Sequence, residues 1–237
     1  MSTISAAPDL ARRLVAEAIG TALLVAGVVG SGIMAQSLTH DVALALLCNA
    51  VATGALLTAL ILILAPISGA HLNPAVTLAL CARGEIAIGN AALYATAQVL
   101  GGAAGTVLAH AMFSLPLFAA GTAARGGAGQ WLAEGVATFG LLLTIFGCRA
   151  GGYRSVAAAV GLYITAAYWF TASTSFANPA VTLARALTPT FAGIRPADAP
   201  AFVVVQLAAA LFAAAFARWL FAAPAEAVAT SASRRNL

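Results

Sequence analysis

The chain has 237 residues, of which 62% are hydrophobic and only 8% charged, and its mean hydropathy is +0.98. An ordinary soluble domain carries about 25% charged residues, so this composition cannot clothe a water-facing surface, and the exterior has to face lipid. The formal charge is +4 and all eleven basic residues are arginine, scattered singly or in pairs, a pattern that excludes a basic nucleic-acid-binding stripe.

Residues 1–11 read as a short cytoplasmic segment. A membrane-spanning helix needs about 20 mostly apolar residues, and six stretches meet that requirement: 12–35, 42–65, 91–113, 131–149, 155–172 and 200–222. The first is too long for the apolar core of a signal peptide and reads as a retained span. Two further uncharged, apolar segments lie between spans, at 66–82 and 173–192. Both are too short to cross and too apolar for surface loops, which makes them candidates for re-entrant elements lining a wet cavity. The three cysteines, Cys48, Cys81 and Cys148, sit in apolar stretches with no metal-binding spacing and read as small buried hydrophobes. Residues 12–222 thus form one channel-like domain of two repeats, 12–113 and 131–222, followed by a cytoplasmic tail at 223–237 expected to be disordered.

Arginine sets the expected orientation. With the N-terminus in the cytoplasm, Arg12, Arg13, Arg83, Arg149, Arg154, Arg218, Arg234 and Arg235 fall inside, and Arg125, Arg185 and Arg195 outside. That bias follows the positive-inside rule, with both termini cytoplasmic.

The heptapeptide Asn-Pro-Ala-Val-Thr-Leu-Ala occurs at 73–79 and again, identical, at 178–184. Weaker echoes surround it: Ala16-Glu17 with Thr21 answers Ala133-Glu134 with Thr138, and Gln98 answers Gln206. Three spans per half make equivalent helices cross in opposite senses, an inverted-topology repeat whose solute path lies at the repeat interface. Within the heptapeptide, asparagine is a favoured N-cap and proline suits the first helical position. Asn73-Pro74-Ala75 and Asn178-Pro179-Ala180 therefore each start a half-helix inside the membrane, and inversion points the two N-termini at each other. Each N-terminus holds roughly half a positive charge, so the meeting point repels cations and protons. The amide groups of Asn73 and Asn178 are expected to donate to a solute oxygen.

The run Ser68-Gly69-Ala70-His71-Leu72-Asn73-Pro74-Ala75-Val76-Thr77, with Glu17, Glu134, Gln98 and the glycine-rich Gly101–Gly105 stretch, resembles the aquaporin and aquaglyceroporin family over about residues 11–222. The resemblance implies an all-α membrane protein of six transmembrane helices and two re-entrant half-helices. It implies a pore through each protomer, a homotetramer in the bacterial inner membrane, water and small solutes as cargo, and no cofactor. It further implies that carbonyls of Gly69, Ala70, His71 and Leu72, and of Thr174, Ser175, Phe176 and Ala177, line the path. Glu17 and Glu134 would hold the two re-entrant loops by hydrogen bonds.

Carried over by spacing, the family's selectivity filter falls on Thr53, Ala166, Ser175 and Val181. The family's usual arginine after the second Asn-Pro-Ala is replaced by Val181, and its large aromatic ring on the second helix by Thr53. These substitutions predict a wide, uncharged aperture that passes water, glycerol-like polyols and larger solutes. The chain is similar to bacterial members with a non-arginine filter that are associated with arsenic-resistance operons, which makes metalloid acids such as arsenite, and organoarsenicals, expected substrates. Arg185, four residues beyond Val181, admits two readings: a positive charge in the outer vestibule, or a guanidinium snorkelling to carbonyls and headgroups. His71 reads as a histidine bonded within its loop, and Tyr163, Tyr168, Trp169 and Phe170 as packing or interfacial anchors. An enzyme would need a nucleophile or a carboxylate pair with a base, whereas Glu17 and Glu134 sit one per half in matching places. An ion-coupled transporter would need an acidic midplane site that the two asparagines do not supply.

Overall fold

The computed structural model describes residues 8–222. The N-terminal residues 1–7 and the expected tail, with Arg234 and Arg235, lie outside the described residues. The elements are α1 (Leu10–Leu38), α2 (Val42–Ser68), α3 (Pro74–Ala82), α4 (Ile88–Met112), α5 (Ala128–Cys148), α6 (Gly152–Phe170), α7 (Pro179–Arg185) and α8 (Ala199–Leu220). All six expected spans are helices, and the two expected re-entrant segments hold the short helices α3 and α7. The α5–α6 connection is a single 3-10 turn, Arg149–Gly151, so residues 128–170 form a nearly continuous helical run. Helix α2 continues past the expected boundary to Ser68 and stops where Gly69 takes a left-handed conformation at φ 90°. No strand occurs among the described residues.

Local chemistry sets the starts of several helices. The Asp9 side chain caps α1 by accepting from the Arg12 amide, and Asp41 caps α2 by accepting from Ala43 and Leu44. The long helices are apolar on most sides, and their exposed residues include Leu38, Val42, Ile88, Leu100, Leu162 and Val204, as expected for a lipid-facing wall. Helix α4 approaches α1 closely through Gly101 and Gly105. A Cβ at either position would collide with the backbone carbonyl of Ala18 or Ala22. Small residues four apart let two membrane helices pack at backbone distance.

The halves interlock. Within each half, α1 packs on α2 and α4, and α5 on α6 and α8, while α2 and α6 join the halves. The half-helices cross over: α3 packs against α8 of the other repeat, and α7 against α4 and α1. This exchange puts both half-helix N-termini on the interface between the repeats. One face of the molecule, here called proximal, carries the start of α1, the Arg83–Ala87 connection and the α5–α6 turn. The opposite, distal face carries the α1–α2 turn and the connections 113–127 and 186–198. On it, 113–127 is tied to the chain beyond α7 by bonds from Gly121 N to Ala186 O (2.8 Å) and from Arg195 N to Ala123 O (2.8 Å).

Candidate functional site: a pore between two half-helices

The two asparagines meet as the sequence requires. Asn73 Oδ1 accepts from Ala75 N (2.8 Å), and Asn178 Oδ1 from Ala180 N (3.0 Å) and Val181 N (3.3 Å), so each caps its own half-helix. Each amide nitrogen then reaches across the repeat interface: Asn73 Nδ2 donates to Ala177 O, and Asn178 Nδ2 to Leu72 O, both at 2.8 Å. This narrows the expectation that the amide groups are free for solute. An amide nitrogen has two donors, and one on each side is used to tie the two loops together, leaving one apiece.

The loops before the asparagines are held in a conformation that side chains resist. Gly69, Ala70 and Leu72 have positive φ of 90°, 47° and 50°, and Thr174, Ser175 and Ala177 repeat the pattern at 62°, 52° and 48°. Non-glycine residues in this region cost about 1–3 kcal/mol each and persist only where the surroundings over-determine them. What over-determines them is a buried glutamate in each half. Glu17, fully buried, accepts from Ser68 Oγ (2.6 Å), His71 N (3.0 Å), Leu72 N (2.7 Å) and Gln98 Nε2 (2.7 Å). Glu134, equally buried, accepts from Phe176 N (2.9 Å), Ala177 N (2.8 Å) and Gln206 Nε2 (2.6 Å). The glutamines pass the tether onward, Gln98 to Thr77 Oγ1 (3.0 Å) and Gln206 to Thr182 Oγ1 (2.9 Å). Both threonines belong to the repeated heptapeptide and donate back to the asparagine carbonyls. Each intramembrane acid thus has the partners its burial demands.

A continuous cavity of about 340 Å³ runs past these loops. Its proximal end includes Arg13, Glu85, Arg149 and Tyr153, and its distal end Thr53, Tyr168, Ser175, Val181 and Arg185. Asn73 and Asn178 lie on its wall between, with Gly69, Ala70, His71, Leu72, Ser175, Phe176 and Ala177. Thr174 is not among the residues on this wall, and its hydroxyl lies 3.5 Å from Arg125 Nη1. His71 is bonded within its loop as expected, its Nδ1 lying 3.1 Å from Thr77 Oγ1.

Three of the four expected filter residues, Thr53, Ser175 and Val181, share the distal end of the cavity; Ala166 does not. Helix α6 presents Val156, Val160, Ile164 and Tyr168 to the cavity at four-residue intervals, and Ala166 is two positions out of that register, on the exposed face. The α6 contribution is therefore Ile164 and Tyr168. Tyr168, expected to be a packing anchor, bonds Thr53 across the cavity end, hydroxyl to hydroxyl at 3.1 Å. The aperture thus contains an aromatic ring, supplied by α6 rather than α2, and is not bounded by small side chains alone.

Arg185 fits neither expectation fully. It is only 2% exposed, its guanidinium carbon lies 3.4 Å from the Phe176 ring centroid, and its Nε donates to the Ala192 carbonyl. It bonds a carbonyl as a snorkelling arginine would, yet it lines the cavity. Sequence reasoning also missed Arg125, which donates to Gly193 O (2.9 Å) and Ser173 O (3.1 Å) and faces the Phe176 ring at 5.0 Å. Tyr94, in the other half, donates to Ser68 O (2.9 Å) and is gripped by Arg13 Nε (2.6 Å). Arg125 sits in the connection between the repeats, so no sequence echo marks it, whereas Tyr94, four residues before Gln98, is answered by the buried ring of Phe202, four before Gln206.

Comparison with known proteins agrees with this geometry. Residues 5–152 match the model of the major intrinsic protein family. The chain is 58% identical over 212 residues to the aquaglyceroporin AqpS of Rhizobium meliloti (strain 1021), covering 90% of this chain and 91% of that protein. It is 36% identical over 171 residues to aquaporin TIP2-1 of Arabidopsis thaliana, covering 65% and 66%. The X-ray structure of the aquaglyceroporin from Plasmodium falciparum superposes with a TM-score of 0.69 at 23% identity, covering 89% of this chain and 95% of that one, a likeness of fold. The chain belongs to the major intrinsic protein family, whose members are multi-pass membrane channels for water and small solutes and not enzymes.

Proposed function

We propose that the protein is a broad-aperture solute channel of the bacterial inner membrane, passing water together with glycerol-like polyols and uncharged metalloid acids such as arsenite, with organoarsenicals as further cargo. The observation that supports this most is Val181. In place of a fixed cation immediately after the second Asn-Pro-Ala, the cavity wall has an isopropyl group, with Thr53 opposite in place of a large ring. Removing a guanidinium at this position widens the passage and deletes donors that would hold solute oxygens there, leaving the half-helix dipoles as the main barrier to cations. The Thr53–Tyr168 hydroxyl pair lies at this same end. The name of the 58% identical relative, an aquaglyceroporin, agrees with solutes beyond water. A homotetramer with both termini in the cytoplasm belongs to the same reading.

Stopped-flow uptake into proteoliposomes tests it, comparing water, glycerol, urea, arsenite and methylated arsenicals. Flux of glycerol and arsenite as well as water is the expected result. A protein that passed water but excluded glycerol and arsenite would be a strict water channel, and flux that followed a proton or sodium gradient would make it a coupled transporter. Val181→Arg should restrict the larger solutes more than water.

A further inference from the structure

A second feature of the distal end goes beyond passive size selection, and it rests on the channel reading above. We propose that Arg185 and Ser175 form a solute-oxygen subsite that recognises small oxyacid monoanions, so that the pore admits them beside neutral solutes.

Arg185 is a buried cation that lacks a counter-charge. Among the described residues no carboxylate lies within ion-pair distance of it. Glu134, the buried acid of the same half, is already engaged by the amides of Phe176 and Ala177 and by Gln206. The guanidinium uses only Nε, toward the Ala192 carbonyl, and its two terminal nitrogens donate to no described residue. Burying a charge without a partner costs several kcal/mol, and the Phe176 face offsets only part of that. The space beside the group is the cavity it lines, so the compensating charge is supplied by what enters the cavity. Ser175 points to the same conclusion independently: its hydroxyl is buried and has no hydrogen-bond partner, and the residue lines the same end.

The donor set specifies the ligand class. The terminal edge of a guanidinium presents parallel N–H groups that match two oxygens on one atom. A serine hydroxyl adds a further donor, while Val181, Ile164 and the Phe176 ring supply an apolar wall. A small oxyacid anion with one apolar substituent satisfies both. The path beyond suits the same charge. From Arg185 to the asparagine pair no acidic side chain lines the cavity, and both half-helix N-termini add positive potential. The acid at the proximal end, Glu85, is held by Arg83 and Arg149. Val181 matters here as well: a second guanidinium one turn from the first would hold an anion too tightly to release it, and conduction needs binding weak enough to leave.

Methanesulfonate is a suitable probe, being a tetrahedral monoanion with one methyl group that stays ionised and does not cross bilayers as an acid. In proteoliposomes with potassium and valinomycin to balance charge, the protein should give methanesulfonate influx above that of empty vesicles. Arg185→Gln should lower that influx about tenfold, and Ser175→Ala about threefold, in each case by more than it changes water or glycerol flux; tenfold corresponds to about 1.4 kcal/mol. Arg185→Lys, which keeps the charge and loses the fork, should fall between. A folding-independent measurement uses the unaltered protein alone, where methanesulfonate should slow glycerol uptake in a saturable way. Glycerol flux with neither methanesulfonate flux nor competition overturns the subsite and leaves the channel reading intact. Loss of water, glycerol and methanesulfonate flux in equal proportion in Arg185→Gln also overturns it, by making the residue structural. A protein passing neither water nor glycerol overturns the channel reading itself.

Discussion

The two re-entrant loops share one backbone and are fastened differently. Both place three residues at positive φ, both hang from a buried glutamate, and both end in an asparagine that reaches across to the other loop. The first is fastened from within the membrane. Ser68 gives Glu17 an additional hydroxyl donor, Tyr94 holds the Ser68 carbonyl, and a glycine occupies the first left-handed position. The second is fastened from the distal connection: Arg125 holds the Ser173 carbonyl, and the first left-handed position is a β-branched threonine. Ser173 Oγ accepts from the Ser175 amide (3.3 Å) as Ser68 Oγ does from Ala70 (3.0 Å), yet only Ser68 donates to its glutamate. The lesson is that an inverted repeat fixes backbone course and the central acid, while each half recruits its own outer support. The loop that depends on a surface connection is also the one next to the departed filter arginine.

The comparison is most severely tested at its centre. Replacing Glu17 by Ala leaves two backbone amides, a hydroxyl and one of the two Gln98 N–H donors without an acceptor, and Glu134→Ala strands two backbone amides and one N–H of Gln206. Both substitutions are expected to destabilise by about 3–5 kcal/mol, the range for breaking a buried charge network, with Glu17 the costlier by its extra donor. Thermal unfolding of the purified variants in detergent checks the order, and equal losses would remove the distinction drawn at Ser68. Next comes the exchange at the first left-handed position. Gly69→Thr should cost about 1–3 kcal/mol, because a branched side chain resists φ 90°. Thr174→Gly should be close to neutral, since relief of strain at φ 62° is set against the lost Arg125 contact.

The outer supports give smaller effects. Arg125→Met should cost about 1–3 kcal/mol through its carbonyl acceptors and should lower glycerol flux more than water flux, whereas Tyr94→Phe should cost about 1 kcal/mol and spare the filter. Reversed flux effects would show that the distal connection does not position the second loop. A small effect is expected at the proximal mouth. Burial pushes the Glu85 carboxyl up, but hydrogen bonds and charge from Arg83 and Arg149 outweigh it and hold the group below its usual 4.5. A carboxylate with a depressed folded value contributes stability above that usual value and loses it as pH falls through the folded one. The difference in melting temperature between the parent and Glu85→Gln should therefore be present at neutral pH and shrink on acidification below 4.5. Because Glu85 is exposed, this cluster should contribute no more than about 1 kcal/mol.

Several features could be read from residues alone because they depend on local physics. Apolar length specified the spans, the Asn-Pro-Ala order specified a capped helix start, and an identical heptapeptide in each half implied two facing N-termini. The role of Glu17 and Glu134 was legible through the family resemblance, which agrees with the need of an intramembrane acid for hydrogen-bond donors. Counting along α6 failed at Ala166, because a filter position depends on helical rotation, and two residues of error turn a side chain to lipid. Tyr168, two residues on, looked like an interfacial ring until the fold turned it toward Thr53.

What the sequence by itself determined is therefore the architecture and the central barrier, since composition, helix caps and an exact repeat leave the chain few alternatives in a solvent that tolerates no unsatisfied backbone. What only the tertiary structure decided is how the distal mouth is furnished. Arg125, Tyr168 and Arg185 come from a connection, a span and the end of a half-helix, and their meeting around Phe176 and Thr53 follows from packing between elements that no local rule relates.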